Sequence, residues 1–225
     1  MGNNPVARPV RRSMELEIYS DVVCPWCYLG HRRLSQAIDR IGDGSPEIRL
    51  RWRAFQLDPS ATAEPRDLRS AIDRKYGPGS FEVMAARLGA LGEEAGIEYR
   101  FDRALRVGTF DAHRLLQWAQ DRWPGSSDAL AESLFRAYFT DGANIAEHPT
   151  LCSLAQEAGL DPAEAAEVLG SGAYSERVRS DVARAAELGV TGVPAVLYNG
   201  AVVVPGAQDT ATIERVLGRL IARSS

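Results

Sequence analysis

The motif Cys24-Pro25-Trp26-Cys27 sits where a strand gives way to a helix, and that junction restricts the chain more than any other feature. Upstream, Glu15 to Ser20 alternates around Leu16 and Ile18 and meets Asp21, the pattern of a short strand running into a loop. Pro25 occupies a first-turn position, where its missing N–H would have had no helical partner. Cys27, Leu34, Ile38 and Ile41 follow at helical spacing, and the stretch from Gly42 to Pro46 ends the helix. Ile48 to Phe55 alternates again, with Ile48, Leu50, Trp52 and Ala54 on one face. Strand, helix and second strand make a βαβ unit.

Past Pro59 the texture changes. Helical stretches recur between punctuating Gly and Pro: Asp67–Tyr76, Ser80–Ala95, Thr109–Trp123, Ser127–Thr140, Pro149–Ala158 and Tyr174–Leu188. Asp161-Pro162-Ala163-Glu164 combines a capping residue, a first-turn proline and an early acid, which starts another helix. Strand character then returns on either side of Asn199-Gly200, a dipeptide suited to the positive φ angles of a two-residue hairpin turn. A final helix is expected from Asp209 to Ala222. The expected fold is α/β, a frame at 14–58 and 189–225 interrupted by an all-helical insertion at 59–188. Residues 1–13 are expected to form a disordered arm.

Composition narrows the function. The chain has 225 residues, 45% hydrophobic and 25% charged, with a formal net charge of -4. Such a surface is a poor match for a phosphate backbone, so nucleic-acid binding is not expected. No apolar run reaches membrane-spanning length. The first 13 residues lack the apolar stretch of an export signal, and the three cysteines fall short of a secreted disulfide framework. A reducing compartment, the cytoplasm, follows as the expectation.

A thiolate, not a thiol, attacks a disulfide, and thiolates form where backbone N–H groups and a helix dipole converge. Cys24 is placed at such a point, and Cys27, one turn on, can reach back to displace a mixed disulfide. Pro25 and Trp26 between them add no acidic group. A zinc site needs further ligands, and neither Cys152 nor His31, His113 and His148 has the spacing to supply them, so no metal is expected. The second chemical feature is Gly189-Val190-Thr191-Gly192-Val193-Pro194, directly before the hairpin. A cis bond at Pro194 would set the Val193 backbone beside Cys24, offering an extended substrate a strand to pair with.

Four segments, Ser20–Leu34, Gly108–Ala119, Leu134–Leu151 and Gly189–Gln208, together resemble the FrnE-like branch of the DsbA family. The resemblance implies a thioredoxin-like fold with an inserted helical domain, Cys24 as nucleophile, Cys27 as resolving cysteine, and Pro194 as a cis-proline. Its cytoplasmic members match the compartment expected above. Two departures stand out: Gly108-Thr109 replaces an Asn-Thr pair common in such relatives, and Ala195 follows Pro194 where an aromatic is common. Thr109, Phe110 and His113 are expected to face the substrate groove, Trp26 to stand exposed beside Cys24, and Cys152 to pack as a small hydrophobe. The expected activity is disulfide exchange with protein, peptide or small-thiol substrates, without a bound cofactor and with glutathione as a candidate co-substrate. The alternative on the same fold is a glutathione-dependent transferase or a 2-hydroxychromene-2-carboxylate-type isomerase, in which Cys27 would be idle.

Overall fold

The computed structural model describes residues 13–42, 45–123 and 125–224. β1 (Ser13–Ser20), α1 (Pro25–Ile41) and β2 (Glu47–Ala54) open the chain. Next come β3 (Arg66–Asp67), α2 (Leu68–Tyr76), α3 (Ser80–Ala95) and β4 (Leu105–Arg106). Then follow α4 (Phe110–Arg122), α5 (Ser126–Arg136) with a π turn at Ala137–Asp141, α6 (His148–Glu157), α7 (Pro162–Gly170) and α8 (Ser175–Glu187). β5 (Ala195–Tyr198), β6 (Ala201–Pro205) and α9 (Thr210–Ser224) complete it.

The main sheet has the order β2-β1-β5-β6, with β1 parallel to β2 and antiparallel to β5. Period-two alternation sorts its side chains onto two faces. Met14, Leu16 and Ile18 of β1 join the large core that also takes Leu29, Leu34 and Ala37 of α1 and Ile213 and Leu217 of α9. Tyr19, Ala195 and Leu197 point the other way, against Ala185 of α8 and Val190. The sheet is thus covered on both faces, as a thioredoxin-like α/β fold requires. The segment between β2 and β5 is helical apart from the two-residue ribbon β3-β4, so the insertion is not all-helical.

Local chemistry explains several boundaries. Asp161 accepts a hydrogen bond from the Ala163 N–H at 2.8 Å and caps α7. Asn199 and Gly200 take φ 51° and 77° between β5 and β6, the left-handed region a tight hairpin turn demands. Ser13 is not part of an arm, because it pairs with Glu47 at the start of the β1–β2 ladder. The remainder of the expected arm, 1–12, lies outside the described residues. α5 stops four residues short of the expected Thr140, and the chain continues as the π turn, whose Phe139 carbonyl accepts the Arg100 N–H at 2.7 Å.

Candidate active site

Cys24 is the N-cap of α1, with extended φ −89° and ψ 114°, and Pro25 takes the first helical position. The Cys24 N–H donates to the Asp21 carbonyl at 3.0 Å, and the Cys24 carbonyl accepts from the N–H of Cys27 at 3.0 Å and of Tyr28 at 3.2 Å. Both cysteines are buried, Cys24 at 4% exposed and Cys27 at 1%, but only Cys24 lines a groove, with Cys27 behind it. Both thiols are free. Burial, the first cause, pushes the Cys27 thiol well up, and hydrogen-bonded contact with Cys24 adds to it. The Cys24 Sγ also lies 3.8 Å from the Val193 carbonyl, 169 positions along the chain.

The Val193–Pro194 peptide bond is cis. Two contacts hold the loop in place, one to the end of β6 and one to the motif helix. The Pro194 carbonyl accepts the Gly206 N–H at 2.8 Å, and Pro194 packs so closely on Gly30 of α1 that a Cβ there would meet its Cγ at 2.8 Å. Gly30 is therefore a close-approach glycine, a role that helical spacing alone does not reveal.

From the opposite side Tyr99, in the connection after α3, donates its hydroxyl to the Pro25 carbonyl at 2.6 Å. Its ring stacks on Phe101 at 5.0 Å and meets Phe139 and Tyr28 edge-on at 5.3 and 5.9 Å. Burial raises the Tyr99 hydroxyl far above the ordinary phenol value, so it stays a neutral donor. Nothing local in the sequence marked Tyr99, because its function as a brace depends on packing 74 positions away from Pro25. Tyr28 is a packing residue, parallel to Phe135 at 5.0 Å, with its hydroxyl donating to Glu132 at 2.9 Å.

The groove beside Cys24 measures about 1270 Å³. Its motif wall is Val23, Cys24, Pro25 and Trp26, and Thr191, Gly192 and Val193 border it. The facing wall comes from α2, α3, β4 and the π turn, through side chains such as Ile72, Met84, Leu105, Tyr138 and Phe139. Trp26 is half-buried instead of exposed, because the Arg87 guanidinium lies 5.1 Å from its ring centre.

Thr109, Phe110 and His113 do not line this groove. Thr109 is buried at the start of α4, and Phe110 lies under the Arg179 guanidinium at 5.5 Å. His113 is 2% exposed, and its Nε2 is 3.0 Å from the Phe55 carbonyl. A carbonyl only accepts, so Nε2 carries the proton. The same atom is 3.4 Å from Asp21 Oδ1, while Asp21 Oδ2 accepts the Leu57 N–H at 2.8 Å. The start of α4 faces inward onto the end of β2, and the cap over the thiols is made by α2 and α3. Gly108 has a similar explanation: a Cβ there would meet the Ala61 carbonyl at 2.8 Å, leaving no room for the polar side chain of the relatives. Cys152 on α6 is only half-buried, with burial raising its thiol. Among the described residues no group of three or more His, Cys, Asp or Glu is arranged to hold a metal ion.

Sheet, motif helix and proline loop together define a thioredoxin-fold protein with a dithiol at a helix N-terminus. The chain belongs to the DSBA-like thioredoxin domain family, which matches residues 15–218. It is 34% identical to the probable DsbA oxidoreductase SCO1869 from Streptomyces coelicolor, with a TM-score of 0.80 over 92% of this chain and 89% of that one. It is 25% identical to the uncharacterized protein YwbO of Bacillus subtilis over 91% of this chain and 96% of the relative. A 2-hydroxychromene-2-carboxylate isomerase structure shares the fold at 20% identity and a TM-score of 0.69, over 94% of this chain and 98% of that one.

Proposed function

We propose that the protein exchanges disulfides through Cys24 and Cys27, using two electrons of the dithiol to reduce a substrate disulfide, or the reverse. The observation that carries this is the division of labour at the first turn of α1: Cys24 borders the groove, and Cys27 is enclosed within reach of it. The Cys24 thiolate attacks one substrate sulfur, forms a mixed disulfide and releases the other sulfur as a thiolate. Cys27 then passes its proton to the thiolate released in the first step and attacks Cys24 Sγ, closing the Cys24–Cys27 disulfide and releasing the second thiolate. A small thiol such as glutathione resets the pair by the same exchange. Burial keeps Cys27 a thiol and so a poor nucleophile, which leaves the first attack to Cys24. Pro25 and Trp26 shape the turn, while Val193 and Pro194 offer backbone to an extended substrate.

The isomerase on this fold would activate the thiolate of bound glutathione and leave Cys27 idle, so Cys27 separates the two chemistries. Three cysteines in 225 residues are too few for a secreted disulfide framework, which fits a reducing compartment, and the proposal places the protein in the cytoplasm. Among the described residues, no helix is long and apolar enough to cross a membrane. The test is a steady-state disulfide-reduction assay with mass spectrometry of the trapped species. Cys24→Ser should abolish turnover, and Cys27→Ser should accumulate mixed disulfides on Cys24. Full turnover by Cys27→Ser with glutathione and an aromatic substrate would replace this assignment with the isomerase.

A further inference from the structure

We infer that the groove beside Cys24 selects disulfide-bearing polypeptide segments that are extended and acidic. The inference rests on the exchange activity proposed above and concerns what that site accepts. It begins with charge. Arg74 and Lys75 at the end of α2 and Arg87 on α3 line the groove, are exposed, and have no carboxylate partner among the described residues. Exposed arginines elsewhere are mostly neutralised: Arg122 with Glu164, Arg136 with Asp141 and Glu157, Arg177 with Asp121. Of the two groove carboxylates, Asp58 is paired with Arg106 at 2.5 Å, and Asp67, which caps α2 through the Ser70 N–H at 2.7 Å, keeps its charge but is outnumbered by Arg74, Lys75 and Arg87. In a chain of net charge -4 the groove therefore keeps a local cationic surplus, which concentrates anionic partners and raises their rate of encounter.

Size and apolar surface point to a polypeptide in place of a small acidic thiol. Pockets for small ligands run from about 300 to 1,000 Å³, whereas this groove is about 1270 Å³. Large hydrophobic side chains stand exposed along it, Leu57 at 43%, Tyr76 at 64% and Val83 at 72%. A tripeptide thiol would leave most of that surface wet. An extended segment can run along the apolar floor, set acidic side chains against Arg74, Lys75 and Arg87, and present its sulfur to Cys24 beside the Val193 backbone.

The experiment uses the full-length reduced protein and excess dithiothreitol. Two synthetic peptides of equal length each carry one intramolecular disulfide and the same apolar residues, one bearing glutamates where the other bears lysines. Hydroxyethyl disulfide, a small neutral probe, and oxidised glutathione complete the set. The acidic peptide should show a kcat/KM on the order of tenfold above the basic one at low salt. The preference should shrink as the screening length falls from about 10 Å at 0.1 M salt to about 3 Å at 1 M. Combined Arg74→Ala, Lys75→Ala and Arg87→Ala should remove it, Arg87→Lys should keep part of it, and Arg219→Ala, on the exposed side of α9, should leave it intact. Equal constants for the two peptides would overturn the inference, and so would oxidised glutathione matching the acidic peptide. No turnover of any of the four disulfides would remove the exchange activity itself. Turnover of both peptides at equal rates would sink this inference alone.

Discussion

Arg87 on α3 and Arg114 on α4 stand on successive helices of one insertion, yet their surroundings are opposite. Arg114 is 4% exposed. Its guanidinium donates to the carbonyls of Val168, Leu169, Ser171 and Ala173 and to Asp111 Oδ1, at 3.4 Å for Leu169, 2.5 Å for Ser171 and 2.8 Å for Ala173 and Asp111. α7 ends in Gly170 with an extended Ser171 after it, so its last carbonyls lack the usual left-handed cap and Arg114 satisfies them. Arg87 touches the Trp26 ring and otherwise faces the groove. A cation that has found every partner inside the protein belongs to the fold. One left without them is available to something else.

Unfolding measurements would break this contrast most directly. Arg114→Ala should lose about 3–5 kcal/mol, since it strands the buried carbonyls of Val168 and Leu169 and removes three further bonds. Arg87→Ala should stay within about 0.5 kcal/mol of the wild type. Chemical denaturation of both variants decides it, and similar losses would erase the distinction between the two regions.

The next effect belongs to the paired region alone. Two groups flank Trp52, whose indole N–H donates to Asp128 Oδ1 at 2.6 Å and whose ring meets His31 at 5.1 Å. Burial, with Arg32 adding to it, lowers His31 from 6.5 to about 4. Burial raises Asp128 from 3.8 to about 6 against the lowering effect of the Trp52 hydrogen bond. The folded state thus binds fewer protons than the unfolded chain at His31 between pH 6.5 and 4, so acidification through that window removes stability. At Asp128 it binds more protons between pH 6 and 3.8, so acidification there adds stability. Each amounts to about 3 kcal/mol at about 1.4 kcal/mol per tenfold, and in the wild type they nearly cancel. Asp128→Asn should unmask the His31 slope, a loss on the order of 2–3 kcal/mol from pH 6.5 to 4. His31→Phe should show the opposite sign. Denaturation midpoints across that range read both, and a flat profile in both variants would refute the assignment.

What was legible from the sequence was the part fixed by a residue and its immediate neighbours. Pro25 at the start of α1, Asp161 at the cap of α7 and the Asn199-Gly200 turn each act within a few positions. Cys24 and Cys27 were readable for the same reason, since helical spacing puts one a turn behind the other. His113 shows where that logic ends. Its place near the start of α4 was clear, but the rotation of α4 is set by packing on β2, and that turned the imidazole inward to Phe55 and Asp21. The opposing wall of the groove was invisible for a related reason: Tyr138 and Phe139 reach it through a π turn, which no hydrophobic period announces. Gly30 read as an ordinary glycine and Gly108 as a missing groove side chain, and only the distant Pro194 and Ala61 that press on them explain why each is glycine.

The smallest effect tests the seam between the two regions. Tyr99 ties the insertion to the motif turn by one hydrogen bond to the Pro25 carbonyl at 2.6 Å. Tyr99→Phe keeps the ring contacts with Phe101, Phe139 and Tyr28 and removes only that bond, so it should cost about 1 kcal/mol or less. Pro25 lies between the cysteines, and its carbonyl sits in the first turn of the helix that Cys24 caps. Freeing that carbonyl should therefore move the dithiol–disulfide equilibrium with glutathione by a few-fold even though the fold survives. A purely structural brace would lower the unfolding midpoint and leave the redox equilibrium where it was. Measuring both on Tyr99→Phe, with Tyr138→Phe as a second hydroxyl deletion on the groove wall bonded to Leu105 instead of the motif, separates the two. A redox shift in Tyr99→Phe alone would mean that the insertion tunes the thiols as well as covering them. Equal shifts in both variants would assign the effect to the groove wall in general and leave Tyr99 no special part.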